Sequence, residues 1–535
     1  AMNSTLQTDI TILGGTPGGI AAAIAAARLG RSILLIEPQS HLGGMSTSGL
    51  GKSDVERRHL IGGLFREFTQ RIDQHYRNRY APDSADIALC QDGYYFEPSV
   101  AETVFHEMLK AHPQITILTS HTLNSATTSE NRLTAIDILS PKQQRVTVHA
   151  QVFLDATYEG DLFAAAGADF RLGRESRDEF DEPHAGQIYF DYQRQQFLPG
   201  STGAGDDRLP AYTYRLCLTT DPANAAALTE PPADYDRRHY LGYFDDLTAG
   251  RLAGPLQLKP GRGYEPAHFN TLVRALSVTP LPNHKTDVNI NPRPLGFPFP
   301  ELNHGYITGD AVTRAAISTR IRNRTLGLLW FLQNDTQIPT QHRQIARQYH
   351  LPQDEFTDNQ HFPWQLYIRE GRRLQGEFTL TERHITHQPE QGIDHREIET
   401  FADTIAVGEF PIDSFPCQPR QPGDTIVLEG YLGMLDQITR PYEIPYRIMV
   451  PQSIDGLLVP VAASTTHVAF SSIRMEPTWM ALGQAAGVAA HLAIQQQCAP
   501  RTIPIHELQQ QLASEGQILK HQPELNHAST REPQS

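Results

Sequence analysis

The stretch Asp9–Pro38, DITILGGTPGGIAAAIAAARLGRSILLIEP, limits what this chain can fold into more than any other part of it. DITIL is an apolar run of buried-strand length, and the Ala-rich segment from Thr16 to Leu29 has strong helix propensity until Gly30 stops it. SILLIE is a second buried-strand run ending in an acid, so strand, glycine turn, helix, glycine, strand and acid follow within about 30 residues as a βαβ unit. Gly14 permits the tight turn and Gly19 lets helix and strand approach. The open N–H groups and partial positive charge at the helix start favour a diphosphate. Glu37, eighteen residues beyond Gly19, is placed to accept hydrogen bonds from a ribose diol. A glycine turn in an ordinary α/β unit is the alternative; fingerprint, acid, helix and both strands together point to a dinucleotide site. Thr16 stands where the second fingerprint glycine is expected, which is tolerable if only its backbone approaches phosphate.

Length and charge narrow the rest. With 535 residues, 39% of them hydrophobic, the chain has material for two or more domains. A formal net charge of −15 argues against a nucleic-acid partner. No window approaches the ~18–20 uninterrupted apolar residues of a membrane helix, so membrane insertion is not expected. Cys90, Cys217, Cys417 and Cys498 lie far apart without CxxC spacing and are read as reduced structural residues; no metal site is read from them. The first strand begins about nine residues in, which leaves no room for a signal peptide unless one has been removed, so a cytoplasmic location is expected.

The GGTPGG loop looks like the version found in one group of flavoproteins, which favours FAD over NAD. HLGGMSTSGLG (His41–Gly51) resembles the LGGM.T.G stretch of FAD-dependent oxidoreductases of the fumarate-reductase-like and glutathione-reductase-like lineage. Val146–Phe180 resembles the strand and turn with which those enzymes return to the nucleotide, and Ile454–Ala493 resembles their final strand and helix. HKTDVNINPRP, Leu351–His384 and RPYEIPYRIMVP are similar to bacterial members often labelled xanthan lyase-like, a label that implies little about chemistry. The resemblance runs from about Thr8 to Ala493 and departs at Phe415, where relatives more often have His.

The resemblance implies an α/β fold whose Rossmann-like FAD-binding domain is discontinuous. Residues 1–185 and 421–500 build it, residues 186–420 insert an α+β substrate domain, and residues 501–535 form a C-terminal helix and a disordered tail, LNHASTREPQS. The implied cofactor contacts are Gly14, Gly15, Thr16, Pro17, Gly18, Gly19, Glu37, Gly43, Gly44, Met45, Ser46, Leu123, Ala156, Thr157, Met475 and Glu476, with FAD held non-covalently; His41 raises covalent attachment, but its spacing to Gly43–Gly44 does not match the histidyl pattern. Pro477 suits a first helical position, so the last helix starts around Glu476. In related flavoproteins this helix end meets the flavin pyrimidine, where it favours negative charge developing on reduction. Gly483, Ala486 and Gly487 give that helix a small face for packing against the sheet. Asp310–Asp335 reads as a long amphipathic helix whose Trp330 and Phe331 belong to the core. No second glycine fingerprint marks a built-in NAD(P)H domain.

Flavin chemistry needs a donor carbon over N5, a proton acceptor and orienting charges. His467, nine residues ahead of Glu476, suits a general base, or else is a satisfied structural histidine. Arg474 could hold the flavin carbonyl or a substrate carboxylate, or only pair with Glu476. Asn289 and Asn291, two apart in extended chain, could share a face and bind hydroxyls, or form a turn before Pro292. Arg369 lies in YIREGRR, which is either substrate-facing or an internal ion-pair network, and Tyr442 and Tyr446 either line the flavin cavity or pack. The expected function is an FAD-dependent oxidoreductase that takes hydride from a polar small molecule, such as a carbohydrate, and passes the electrons to oxygen, a quinone or a carrier. A non-redox polysaccharide lyase or hydrolase, and a flavin-binding subunit of a larger redox complex, are the alternatives.

Overall fold

The computed structural model describes residues 4–250, 275–291, 297–387 and 399–521; the expected tail LNHASTREPQS and the turn at Pro292 lie outside them. Strand β1 (Ser4–Leu13) leads into helix α1 (Pro17–Arg28), which Gly30 ends at φ 88°, and β2 (Ile33–Glu37) returns parallel to β1 with Ile10 opposite Ile33. β3 (Ile115–Thr119) continues the parallel order beyond β2. On the other side of β1, β6 (Arg145–Asp155) is parallel, and β5 (Arg132–Leu139) and β4 (Thr122–Ser129) extend the sheet antiparallel. The short strand Leu457–Leu458 pairs with Phe153 and Leu154 at the far end of β6. This is a Rossmann-like sheet.

Its apolar runs are continuous because both faces are covered. Ile10, Ile12, Ile33 and Leu35 face one core, shared with α1, while Leu13, Leu34 and Ile36 face a second with Leu133, Phe153 and Leu162. The expected last helix runs from Glu476 to Gln495, with Met475 as its cap and Pro477 one position inside the start. Its small face meets a different partner from the one anticipated. A Cβ on Gly483 would run into the carbonyl of Gly18, and one on Gly487 into that of Ala22, so these glycines press on α1 rather than on the sheet. Two helices each carrying Gly and Ala at the contact can approach backbone to backbone, and that closeness fixes α1 from behind.

Further along, Leu216–Thr219, Lys285–Ile290 and Leu276–Pro280 form a three-stranded antiparallel sheet in that spatial order. Leu276, Val278, Val288 and Ile290 are buried, which leaves Ser277, Thr279, Asp287 and Asn289 on the opposite face by strand alternation. The long helix spans Ala311–Asn334, and the Asp310 carboxylate accepts the Thr313 N–H at 2.8 Å as its cap. Phe331 is buried and stacks on Tyr240 at 5.4 Å; Trp330 is half-buried. Among the described residues, no helix is long and apolar enough to cross a membrane.

The Gly483 contact has a signed consequence. Gly→Ala inside an ordinary helix gains about 1 kcal/mol. Here Gly483→Ala is expected to lose about 1–3 kcal/mol in denaturant unfolding, because the methyl meets the Gly18 carbonyl; a gain would show that the two helices are not in backbone contact.

Candidate functional site

The candidate cofactor cleft lies where the parallel strands end and α1 begins. Gly14 sits at φ 107°, and a Cβ there would lie 2.5 Å from the Ala156 carbonyl carbon. One on Gly15 would lie 2.5 Å from Leu42 Cδ2. Thr16 has a task of its own: its Oγ1 accepts the Gly19 N–H at 3.2 Å, capping α1, and donates to the Ala156 carbonyl at 2.8 Å. The side chain is thus turned onto the end of β6, leaving the backbone of the loop on its other side. Pro17 opens the helix, and Gly18 and Gly19 form its first turn.

Glu37, at the end of β2, accepts the Gly15 N–H at 2.7 Å and the Gln39 N–H at 2.9 Å, and burial pushes its carboxyl up to about 7. The Gly43 N–H donates to the Gly15 carbonyl at 2.7 Å, which lays the second glycine loop on the first; Gly43 and Gly44 have φ of 99° and 50°. Met45 and Ser46 follow, both buried. The Met45 N–H donates to Tyr158 Oη at 3.1 Å, and the Tyr158 hydroxyl donates to Glu476 Oε1 at 2.7 Å. One tyrosine therefore joins the glycine loops to the start of the last helix. Ala156 and Thr157 come in from β6, where Thr157 Oγ1 donates to Asp155 at 2.7 Å. Leu123 stands at the start of β4, which backbone bonds from Ser120 and His121 to Gln39 and Glu37 hold beside the end of β2. His41 lies between Glu102 and Asp358, 2.7 Å from each, and these carboxylates push it up to about 9.

A cavity of about 100 Å³ lies next to this cleft, reached from it through Arg474 and Met475. Ser277, Thr279, Asp287 and Asn289, the polar face of the antiparallel sheet, line one part of it. Lys52–Glu56, Tyr367, Arg369, Phe410, Phe415, Arg474 and Met475 line others. Arg215 and Asp287 pair at 2.6 Å. Arg474 donates to the Tyr367 hydroxyl at 3.0 Å and the Asp413 carbonyl at 2.7 Å. It points toward the cavity rather than to Glu476.

Arg369, Asn289 and Arg474 therefore meet, as does Met475, while four other candidates, His467, Tyr442, Tyr446 and Asn291, lie elsewhere. His467 opens the His467–Ile473 helix, buried, with Nδ1 2.8 Å from Glu370 Oε1 and its backbone N–H on Glu175. Tyr442 and Tyr446 are buried packing residues whose hydroxyls bond Ser472 and the Pro500 carbonyl. Asn291 is buried, its backbone N–H on the Ala275 carbonyl, and only Asn289 of the pair lines the cavity. Asp54, Arg215 and Asp287 were not singled out in the sequence. Asp287 had a signal, the alternation of polar and apolar residues in LSVTP and KTDVNI; Asp54 and Arg215 had none.

A model of the family described as FAD dependent oxidoreductase matches residues 9–512. The chain belongs to this family. It is also 31% identical over 129 residues to a 4,4'-diapolycopene oxygenase from Methylomonas sp, a stretch covering 21% of this chain and 24% of that one. The chain thus spans about a quarter of the length of this relative. Among solved structures it is similar to L-proline dehydrogenase from P.horikoshii, with 15% identity over 33% of this chain and 26% of that one at a TM-score of 0.19. It is similar, too, to p-nitrophenol 4-monooxygenase from Pseudomonas putida, with 12% identity over 36% and 50% at 0.21.

The residues present fit FAD. Glycines line the cleft where a Cβ would collide with backbone or side chain, and Glu476, fully buried at the helix start, has an Oε2 with no hydrogen-bond partner among the described residues. Burial, helped by Asp54 and opposed by Tyr158 and Arg474, pushes Glu476 up to about 8. The folded chain then holds a proton that the unfolded chain releases near 4.5, so this group's contribution to stability declines as pH rises from about 4.5 to about 8. In cofactor-free protein, Glu476→Gln is expected to flatten the fall of thermal midpoint between pH 5 and pH 8; parallel profiles for the two proteins would show that Glu476 is ionised when folded.

Proposed function

We propose that the chain binds FAD non-covalently across the Gly14–Gly19 helix start and oxidises a polar small molecule, of which a carbohydrate-like donor is one kind, in the cavity beside Arg474. The observation that carries this reading is the continuity of the two sites. Arg474 and Met475 line the cavity, and the next residue, Glu476, opens the last helix and is tied through Tyr158 to the glycine loops. Covalent attachment through His41 is disfavoured, because both its ring nitrogens are engaged by carboxylates.

When bound, FAD supplies a two-electron acceptor at N5. The chain does the rest. Asn289, Ser277 and Thr279 present hydrogen-bonding groups to hydroxyls from a rigid strand pair, which orients the donor. Arg474, fixed by Tyr367 and Asp413, brings positive charge to the helix start. Asp54 faces the same cavity, acts electrostatically on Arg215, Tyr367 and Glu476, and has no ion-pair partner among the described residues; it is the carboxylate placed to accept the donor's hydroxyl proton. His467 acts at one remove, holding Glu370 in place. The division of the chain into a discontinuous cofactor domain and an inserted substrate domain agrees with this arrangement, since Arg215, the strand pair, Tyr367, Arg369 and Phe415 all come from residues 186–420.

The purified protein is expected to be yellow and to release FAD on heating. With a donor that bleaches it anaerobically, Asp54→Asn is expected to slow single-turnover flavin reduction about 100-fold or more, and His467→Gln less than about tenfold. The reverse order would move the proton acceptor to His467.

A further inference from the structure

The cluster YIREGRR separates, in the fold, into groups with different partners. Arg373 pairs with Glu175 and lies near Glu370, which also takes His467. Arg372 pairs with Asp161. Arg369 is 2% exposed and has only neutral partners among the described residues: Nη1 donates to the Ala211 carbonyl at 2.8 Å and to Thr213 Oγ1 at 2.9 Å, and Nη2 reaches Asn289 Oδ1 at 3.4 Å. Two aromatic rings pack against it. The guanidinium carbon lies 4.1 Å from the ring centre of Tyr367 and 3.6 Å from that of Phe415.

A buried guanidinium without a carboxylate is unfavourable unless something else supplies the negative charge. Burial, reinforced by Arg474 and Arg215, pulls Arg369 down to about 9. The other two guanidinium groups of the cavity are differently placed: Arg215 has Asp287, and Arg474 has the Tyr367 hydroxyl and the Asp413 carbonyl with its carboxylate 3.9 Å away. With two rings against it and Nη1 engaged by Ala211 and Thr213, Arg369 offers a ligand the N–H groups that these contacts leave over. Its remaining N–H groups form a fork suited to a planar oxyanion.

We propose that Arg369, packed against Tyr367 and Phe415, binds a carboxylate carried by the substrate, so that the donor is a small polar acid such as a sugar acid or another hydroxy acid, rather than a neutral sugar. This rests on the cavity being the substrate site of the flavoenzyme proposed above. Asn289, beside Arg369, then takes a hydroxyl of the same molecule, and Asp54 faces the donor hydroxyl away from the anchored end.

The test is ligand binding to the holoenzyme, read by flavin difference absorbance and independently by calorimetry. Sodium D-glucuronate, sodium L-malate and sodium acetate are compared with the neutral D-glucose and acetamide. At least one carboxylate is expected to bind and perturb the flavin while its neutral counterpart does not. Arg369→Met is expected to weaken that binding about 30-fold or more. Arg369→Lys, which keeps the charge and loses the fork, is expected to weaken it about tenfold, and decides the matter if the Met variant does not fold. No carboxylate binding, equal binding of the neutral compounds, or affinities within twofold of the parent in Arg369→Lys would overturn the proposal. A protein that holds no flavin but binds carboxylate through Arg369 by calorimetry would leave the anchor standing and remove the redox reading beneath it.

Discussion

Backbone touching backbone, with no side chain between, is the constraint on which the rest of this molecule depends. The Gly14–Gly19 turn lies against the end of β6 on one side, where a Cβ on Gly14 would meet Ala156. On the other side Gly18 and Ala22 meet Gly483 and Gly487 of the last helix. The start of α1 is held between a strand end and a helix, so its N–H groups are aimed before any ligand arrives. Thr16 adds to that rigidity by capping the helix and tying it to β6 with one hydroxyl. The same last helix begins at Glu476, and Tyr158 carries its position back to the second glycine loop. A change at one of these contacts therefore reaches both ends of the cleft.

Around this frame, charge is distributed by purpose. Deep ion pairs such as Arg373 with Glu175 and Lys285 with Glu97 and Glu355 sit away from the cavity and lock segments distant in sequence. Such pairs add little net stability over apolar packing, and what they do supply here is register between chain segments far apart. The cavity is different, because Arg369 and Asp54 remain there without ion-pair partners among the described residues. Groups left in that state are the ones that the proposed substrate would meet.

How much of this was legible in the sequence follows from the range of the forces involved. The βαβ unit was readable because its strand, turn, helix and acid are local, and the register of Ile10 opposite Ile33 only confirms the spacing. The last helix and the Asp310 cap were readable for the same reason. The contact of Gly483 with Gly18 was not, since small residues announce closeness but not to what. YIREGRR showed its charges but not their partners, which come from segments some 200 residues away, such as Glu175 for Arg373. His467 stood out by residue type and position, but its place outside the cavity, with Nδ1 on Glu370, is set by segments far away in sequence. Asp54, one acid in a polar loop, had no pattern to mark it.

In the proposed holoenzyme the helix start behind the glycine turn carries the diphosphate of FAD, and the other end of the dinucleotide reaches Arg474. A crystal structure of the protein purified with its cofactor tests this most directly. Phosphate oxygens are expected within hydrogen-bond distance of backbone N–H groups of Gly15–Gly19, the adenosine ribose on Glu37, and the isoalloxazine ring beside Met475 and Glu476. Density for the dinucleotide anywhere else, or the cleft closed by Leu42 with the cofactor excluded, would contradict that placement.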